Sequence, residues 1–465
     1  MADGESAHRS AAIRDVEDRA DAHRAELEAL VRIPSVSADG FDRARVVESA
    51  EATADLLERS GLEHVRLVRP PGGHPNVIGE WCHAGSAPTV LLYAHHDVQP
   101  PGSVGRWHSD PFEPCVRDGR LYGRGSADDK AGAVAHAAAI SAWLDTAGTI
   151  PCNVRVLIEG EEEIGSPNLA AFLGAHLDEL AADVLVLADA GNWAVGTAGL
   201  TYSLRGLLGF DVSLRALDGP LHSGMAGGVV PDPALGLARL LDSMVDEDGD
   251  VAIDGFADDA RPVTAAESAR IAALDPAPAA LATMLGLRAG VHMTGDPGIP
   301  ILERLWMRPT LTVIGIDTHP VAGSSNQIVA DARARVSMRL APGQDPRRCW
   351  ERVQDHVRTH APWGLEVELT LGESVPGWVC EPEGPAFDAA QRALTAGFGT
   401  EPVLMGVGGT IPFVGPFADA FGGIPALLLG PADPASRIHG EDESLHLDDW
   451  TSLIASEVHL LEELA

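Results

Sequence analysis

The sequence predicts an α/β chain of two domains, on three observations. Four short apolar runs, at residues 90–94, 121–125, 154–158 and 184–188, each lead into acidic residues. Such runs, rich in Val, Leu and Ile, read as strands buried on both faces, and helical patterns alternate with them. Near Tyr202 the character changes to alternating strands of the kind antiparallel sheets with one wet face show. At 465 residues the chain also exceeds the length at which single cores stop growing. The expected architecture is a first domain of residues 1–201 and 374–465, with a mixed, mostly parallel sheet flanked by helices. A smaller α+β domain, 202–373, is inserted into it.

Taken in order, Ile13, Val16, Ala20, Leu27, Leu30 and Val31 recur at helical spacing, which predicts an amphipathic helix over 9–32. Pro34 ends it, since the residue before proline avoids the α region. A second helix is expected over 44–60, closed by Gly61. Strands around 65–67 and 76–80 precede the 90–94 strand, and an alanine-rich helix is expected over 131–147. Past Tyr202, residues 208–214, 311–316 and 332–340 read as half-exposed strands, and 233–245 and 345–359 as helices. Residues 247–308, rich in Ala, Asp and Pro, read as an elaboration of the insert. After Val375 the α/β pattern returns, with a helix at 385–396 and a buried strand at 426–429. A loop carrying His439-Gly440-Glu441-Asp442-Glu443 follows.

The net charge of −35 argues against a nucleic-acid partner, which would need basic surface. The five cysteines, Cys82, Cys115, Cys152, Cys349 and Cys380, are scattered and show no metal-binding spacing, so reduced thiols are expected. Residues 1–14 contain no apolar leader core, and no apolar stretch is long enough to span a membrane. A cytoplasmic protein with no membrane partner is the expectation. Lys130, beside Asp129, is the only lysine, which suggests that an amine is needed there.

In open α/β sheets the functional crevice lies beyond the carboxyl ends of the strands. Carboxylates and imidazoles gathered there repel unless a cation holds them, so a divalent metal site is the leading reading. A hydrolytic two-metal site needs oxygen and imidazole ligands, one bridging carboxylate and a general base. His95, Asp128, Glu163, Asp189 and His439 can supply the ligands. Glu162 is the candidate base, and Asp97, two residues past His95, can orient the imidazole. Each residue alone has a blander reading. His95 and His96 can be structural, the Glu161-Glu162-Glu163 run a solvated turn, Asp128-Asp129 a helix cap, and His439 a surface residue. Gly123-x-Gly125 is too short for a dinucleotide-binding fingerprint.

At these residues a family resemblance becomes specific. Leu91-Leu92-Tyr93-Ala94-His95-His96-Asp97-Val98-Gln99-Pro100 resembles the first metal motif of the carnosinase-type dipeptidases. These belong to the bimetallic aminoacylase and glutamate-carboxypeptidase family. Tyr122-Gly123-Arg124-Gly125-Ser126-Ala127-Asp128-Asp129-Lys130 and Glu159-Gly160-Glu161-Glu162-Glu163-Ile164-Gly165-Ser166 are similar to its second and third motifs. Leu221-His222-Ser223-Gly224 and His439 continue the match, which runs through essentially the whole chain. The resemblance implies a zinc-exopeptidase-like fold with an inserted lid and dimerisation domain. It implies that His95 and Asp189 complete one ion site, Asp128 bridges, and Glu163 and His439 complete the other. Glu162 would be base and acid, and Asp97 the companion of His95. His222 resembles a lid histidine that reaches the partner's active site in family dimers and polarises the scissile carbonyl. Asn326 matches a substrate-contacting position, and Arg339 resembles the arginine that binds the substrate carboxylate. Gly406-Val407-Gly408-Gly409-Thr410-Ile411-Pro412 departs from the Arg-Glu-Gly-Gly-Ser-Ile-Pro of many relatives. Gly408, Gly409 and Thr410 keep a loop whose amides can meet a carboxylate. His96 stands where a tyrosine is common and is not counted as a ligand.

The expected function is hydrolysis of the amide bond of dipeptides or similar small peptides, through a metal-bridging water with Glu162 as general base. Two divalent ions are expected, zinc by ligand type, with manganese and cobalt as alternatives. The alternative substrates are N-acyl amino acids of the acetylornithine or succinyl-diaminopimelate type. A non-catalytic metal-binding protein is the rival from another class. A homodimer through the inserted domain is the expected assembly.

Overall fold

A computed structural model describes residues 2–411 and 414–465. It divides into two compact units, one of residues 2–202, 381–405 and 414–465, the other of 203–380 and 406–411. Residues 374–380 and 406–411, expected in the first domain, thus group with the insert, and Tyr202 groups with the first unit. Pro412 of the glycine-rich motif lies outside the described residues.

The central sheet of the first unit begins at one edge with Glu63–Val68 and Asn76–Trp81, both antiparallel to their inner neighbours. Its parallel heart runs Asn153–Glu159, Thr89–His95, Val184–Leu187 and Ala426–Leu428, in that spatial order. Gly199–Leu204 then joins antiparallel to Ala426–Leu428. Apolar residues fill both faces of the inner strands, as a sheet covered on both sides requires. The register places His95 opposite Glu159 and Tyr93 opposite Leu187, so these carboxyl ends finish level with one another.

The run at 121–125 is not part of that sheet. Arg120–Tyr122 pairs with Cys115–Arg117 and Ser444–His446 in a small antiparallel sheet. Only Leu121 of this strand is fully buried, and the glycines after Tyr122 end the strand. Asp128 is therefore delivered by a loop. Asp129 caps the helix that follows, Lys130–Ala147, by accepting from Gly132 N. That helix is alanine-rich and buried on nearly every side, which suits close approach of its neighbours. His136 near its middle pairs with Glu457 at 2.9 Å. Lys130, wholly buried, donates to the carbonyls of Leu30 and Ile33, each at 2.7 Å, and so satisfies the end of the Ala20–Val31 helix.

The expected helix over 9–32 is two helices, Ala2–Asp18 and Ala20–Val31. Arg19 leaves helical geometry (φ −102°, ψ 9°), and its guanidinium reaches Asp15 and Asp145. No glycine or proline marks this break, and apolar spacing is blind to it. The helix Arg43–Arg59 starts on Asp42, whose side chain accepts from Ala44 N.

The second unit carries an antiparallel sheet in the order Thr310–Asp317, Asp331–Leu340, Gly206–Arg215, Glu366–Val375. The last strand was not anticipated. Alternation puts Leu208, Phe210, Val212, Leu214, Val336 and Met338 into a core with Leu240 and Val353 of the helices Pro233–Asp242 and Pro346–His360. The opposite face is polar, with Arg335 forked onto Asp211 at 2.7 and 2.9 Å. The elaboration at 247–308 holds short helices, among them Ala265–Leu274 with a Thr264–Glu267 capping box. No helix among the described residues is long and apolar enough to cross a membrane.

Candidate metal centre

His95, the last residue of its strand, sits with no exposed surface at the level sheet end. Its Nε2 lies 3.0 Å from Asp128 Oδ1, 3.8 Å from Asp189 Oδ1 and 3.9 Å from Glu162 Oε2. Ligand atoms of His95, Glu162 and Asp189 fall within 4.8 Å of one another, and so do those of His95, Asp128 and Glu163. His439 completes the cluster, with Nε2 3.0 Å from Asp128 Oδ2 and 3.1 Å from Glu163 Oε2. Asp128 thus turns one carboxylate oxygen to each imidazole. All five candidate ligands and Glu162 converge from distant parts of the sequence.

Asp97 lies past the end of the strand, so its place is set by backbone contacts rather than by strand period. Its carbonyl faces His95 Nδ1 at 3.1 Å, and its carboxylate accepts from the amides of Glu162 (3.2 Å) and Glu163 (3.1 Å). One residue therefore orients an imidazole and the short Glu162–Ile164 turn together. Gln99 was missed in the sequence. Its backbone N–H and side-chain amide donate to the Glu163 carboxylate at 3.0 and 2.8 Å. A glutamine in a loop carries no periodic signal that would single it out. Glu159 was missed too; buried at a strand end, it accepts from the Tyr93 hydroxyl at 2.7 Å. The His96 ring turns Nε2 to the carbonyl of Pro75 at 2.9 Å, and burial pushes its pKa down to about 4.

The electrostatics are those of a site built for positive charge. Burial, joined by the charge of Asp189, drives Glu162 well above the usual carboxylate range. Burial and Asp128 push Glu163 up to about 7, and burial raises Asp189. Hydrogen bonds to Asp128 and Glu163 lift His439 to about 11. Burial works against charge on His95, yet its contacts with Asp128, Asp189 and Asp97 hold it well above the imidazole range. With no cation in place, burial and the neighbouring carboxylates disfavour negative charge on Glu162, Glu163 and Asp189. A set of imidazoles and carboxylates with no thiolate suits zinc, manganese or cobalt, so the residues fit two divalent ions.

The remaining candidates lie in the second unit. His222 is exposed at the start of a short helical turn, its Nδ1 accepting from Gly224 N at 3.1 Å. Asn326 is close by in the fold, its carbonyl accepting from Ser223 N at 2.8 Å. Arg339 Nη1 donates to Thr410 Oγ1 at 2.8 Å, and Thr410 donates to the carbonyl of Arg205 at 2.7 Å. Gly408 gives its carbonyl to Arg205 Nε at 3.1 Å, and Gly409 its carbonyl to Arg205 N at 3.1 Å. Arg205 was not among the expected residues.

Fold and ligand chemistry together define a metal-dependent hydrolase. The chain belongs to peptidase family M20/M25/M40, whose model matches residues 91–463. It is 33% identical over 429 residues to the cysteinylglycine-S-conjugate dipeptidase of Corynebacterium striatum, covering 89% of each chain. Human carnosine dipeptidase 1 superposes with a TM-score of 0.85 at 25% identity over 98% of both chains. An M20 family metallo-carboxypeptidase of Sulfolobus solfataricus gives 0.85 at 28% identity, over 95% of this chain and 99% of that one.

Proposed function

We propose that this metallopeptidase is a dipeptidase that hydrolyses the amide bond of small peptides with a free C-terminal carboxylate. One observation carries the two-ion reading: Asp128 presents Oδ1 to His95 and Oδ2 to His439, each at 3.0 Å, which is where a bridging carboxylate belongs. His95 and Asp189 would hold one ion, Glu163 and His439 the other, and zinc suits this ligand set. Bound there, the ions would supply Lewis-acid polarisation of the carbonyl and make a water acidic enough to attack. Glu162, mostly shielded from solvent and raised in pKa beside both, would accept the water's proton and pass it to the leaving amine. Asp97 would hold His95 in orientation.

In the second unit, Arg339 with the Gly408, Gly409 and Thr410 loop would receive the substrate carboxylate, which a guanidinium suits. Asn326 would contact the peptide. We place His222 in a partner subunit's site, in a homodimer formed through residues 202–373. The exposed Ile314 and Ile316 on the edge strand Thr310–Asp317 support that assembly. The five free cysteines support a reducing, cytoplasmic setting. Metal analysis of the purified protein, followed by chelation, refilling and competition between dipeptides and N-acetyl amino acids, tests the reading. Metal-dependent cleavage of dipeptides is expected. Preference for the acetylated substrates would make it a deacylase, and bound metal without turnover of any amide would make it a binding protein.

A further inference from the structure

Arg124 and Glu443 form an ion pair with 1% and 0% of their surfaces exposed, at 2.6 Å between Nη1 and Oε2. Neither has a part in the site described above. The Glu443 carboxylate also accepts from the amides of Gly125 (3.1 Å), Ala127 (3.0 Å) and Asp128 (3.1 Å). It therefore gathers the loop that delivers Asp128, and grips Asp128 by its own backbone. From the other side, Arg124 Nη2 donates to the carbonyl of Gly440 at 3.1 Å, the residue after His439, and to that of Pro100 at 3.3 Å. The chain around His439 needs such a hold. Arg437, His439 and Asp442 all adopt left-handed backbone (φ 54°, 61° and 60°) without being glycine, a conformation that persists only where its surroundings enforce it.

We propose that the Arg124–Glu443 pair is a positioning element that sets the spacing between Asp128 and His439. It thereby tunes affinity for the ion those residues would share with Glu163. The inference rests on the two-ion reading. Ligand distances in such sites tolerate shifts of only about 0.2 Å. Asp128 and His439 come from separate loops, and this one pair is bonded to the backbone of both. The ion position of His95 and Asp189 shares only Asp128 with those loops, so it should feel the pair less.

The test uses the full chain stripped of metal and titrated with zinc against a chromogenic chelator. Wild type is compared with Glu443→Gln, which keeps the shape but turns one acceptor into an amide donor. Arg124→Lys keeps the charge and loses the fork. Far-UV circular dichroism reports folding of each. Two zinc ions are expected in wild type, with one of them weakened about 10–100-fold in both variants and the other within about twofold. Arg124→Lys should be the milder change. Unchanged affinities, or equal weakening of both ions, would overturn the positioning role while leaving two ions standing. Loss of fold in both variants would make the pair a purely structural one and overturn it as well. Fewer than two ions in wild type would instead overturn the two-ion reading, and this inference with it.

Discussion

Arg339 and Thr410, 71 residues apart, meet through a 2.8 Å hydrogen bond from the guanidinium to the hydroxyl. Glu373 and Arg205 are its charged neighbours, and burial lowers its pKa only against a strongly basic norm. Arg339 thus keeps its charge in a half-buried setting with a neutral partner. A carboxylate there would gain a charged hydrogen bond. Arg339→Ala is expected to raise KM by about 10–100-fold, the span of about 1.5–3 kcal/mol that such bonds contribute. Steady-state kinetics on a dipeptide check it, and an unchanged KM removes Arg339 from substrate binding.

Glu162 stands 3.9 Å from His95 and belongs to a ligand-distance group with Asp189. As the proton acceptor, its replacement in Glu162→Ala should cut kcat by about 10²–10⁴-fold with metal content retained. Elemental analysis beside kinetics separates this from simple loss of an ion. Near-normal turnover would end the assignment.

Ion binding should release protons. Ligands must be deprotonated to bind, and here His439 is held up to about 11 and Glu163 at about 7 when no cation is present. Affinity should therefore rise with pH across the neutral range. Calorimetric titrations in buffers of differing ionisation enthalpy would show the released protons. At about a thousandfold excess over Kd the ions should add about 4 kcal/mol per site to stability, read as a higher Tm.

Buried His23 should make stability fall in mild acid. Burial, aided by Arg19, pushes its pKa from 6.5 down to about 4, and its Nε2 has no hydrogen-bond partner among the described residues. The unfolded chain then binds the extra proton first. The contribution is complete above about 6.5 and drains away as pH falls toward 4. Denaturant titrations at several pH values should show a shallower slope over that window in His23→Gln. Identical slopes would contradict it.

The edge-strand residues Ile314 and Ile316 are 60% and 59% exposed. Their joint replacement by Asp should yield a monomer by light scattering, with secondary structure unchanged. If His222 serves the partner's site, that monomer should also lose most of its activity. A fully active monomer would show that His222 has no such role.

Much of the cluster was legible because its residues close apolar runs: His95, Glu163 and Asp189 follow strands of the parallel sheet, whose length and composition announce it. Asp128 was found for a partly mistaken reason, since the run before it belongs to a small antiparallel sheet and a loop brings it in. Asp129 shows why paired acids mislead. It is the helix cap that the plainer reading expected, while its neighbour Asp128 faces the imidazoles. Gln99, Glu159, Arg124 and Glu443 lie in the stretches that stand out, yet carry no readable role, because hydrogen bonds between distant loops leave no period in the sequence. The break at Arg19 escaped for the same want of punctuation.

The lone lysine has a practical side. Lys130 is sealed beneath two carbonyls, and every other basic side chain that could meet solvent is arginine or histidine. Succinimidyl dyes, aldehyde fixatives and amine-coupling chips will find no lysine on the folded surface, so appreciable labelling of Lys130 would report that the chain has opened.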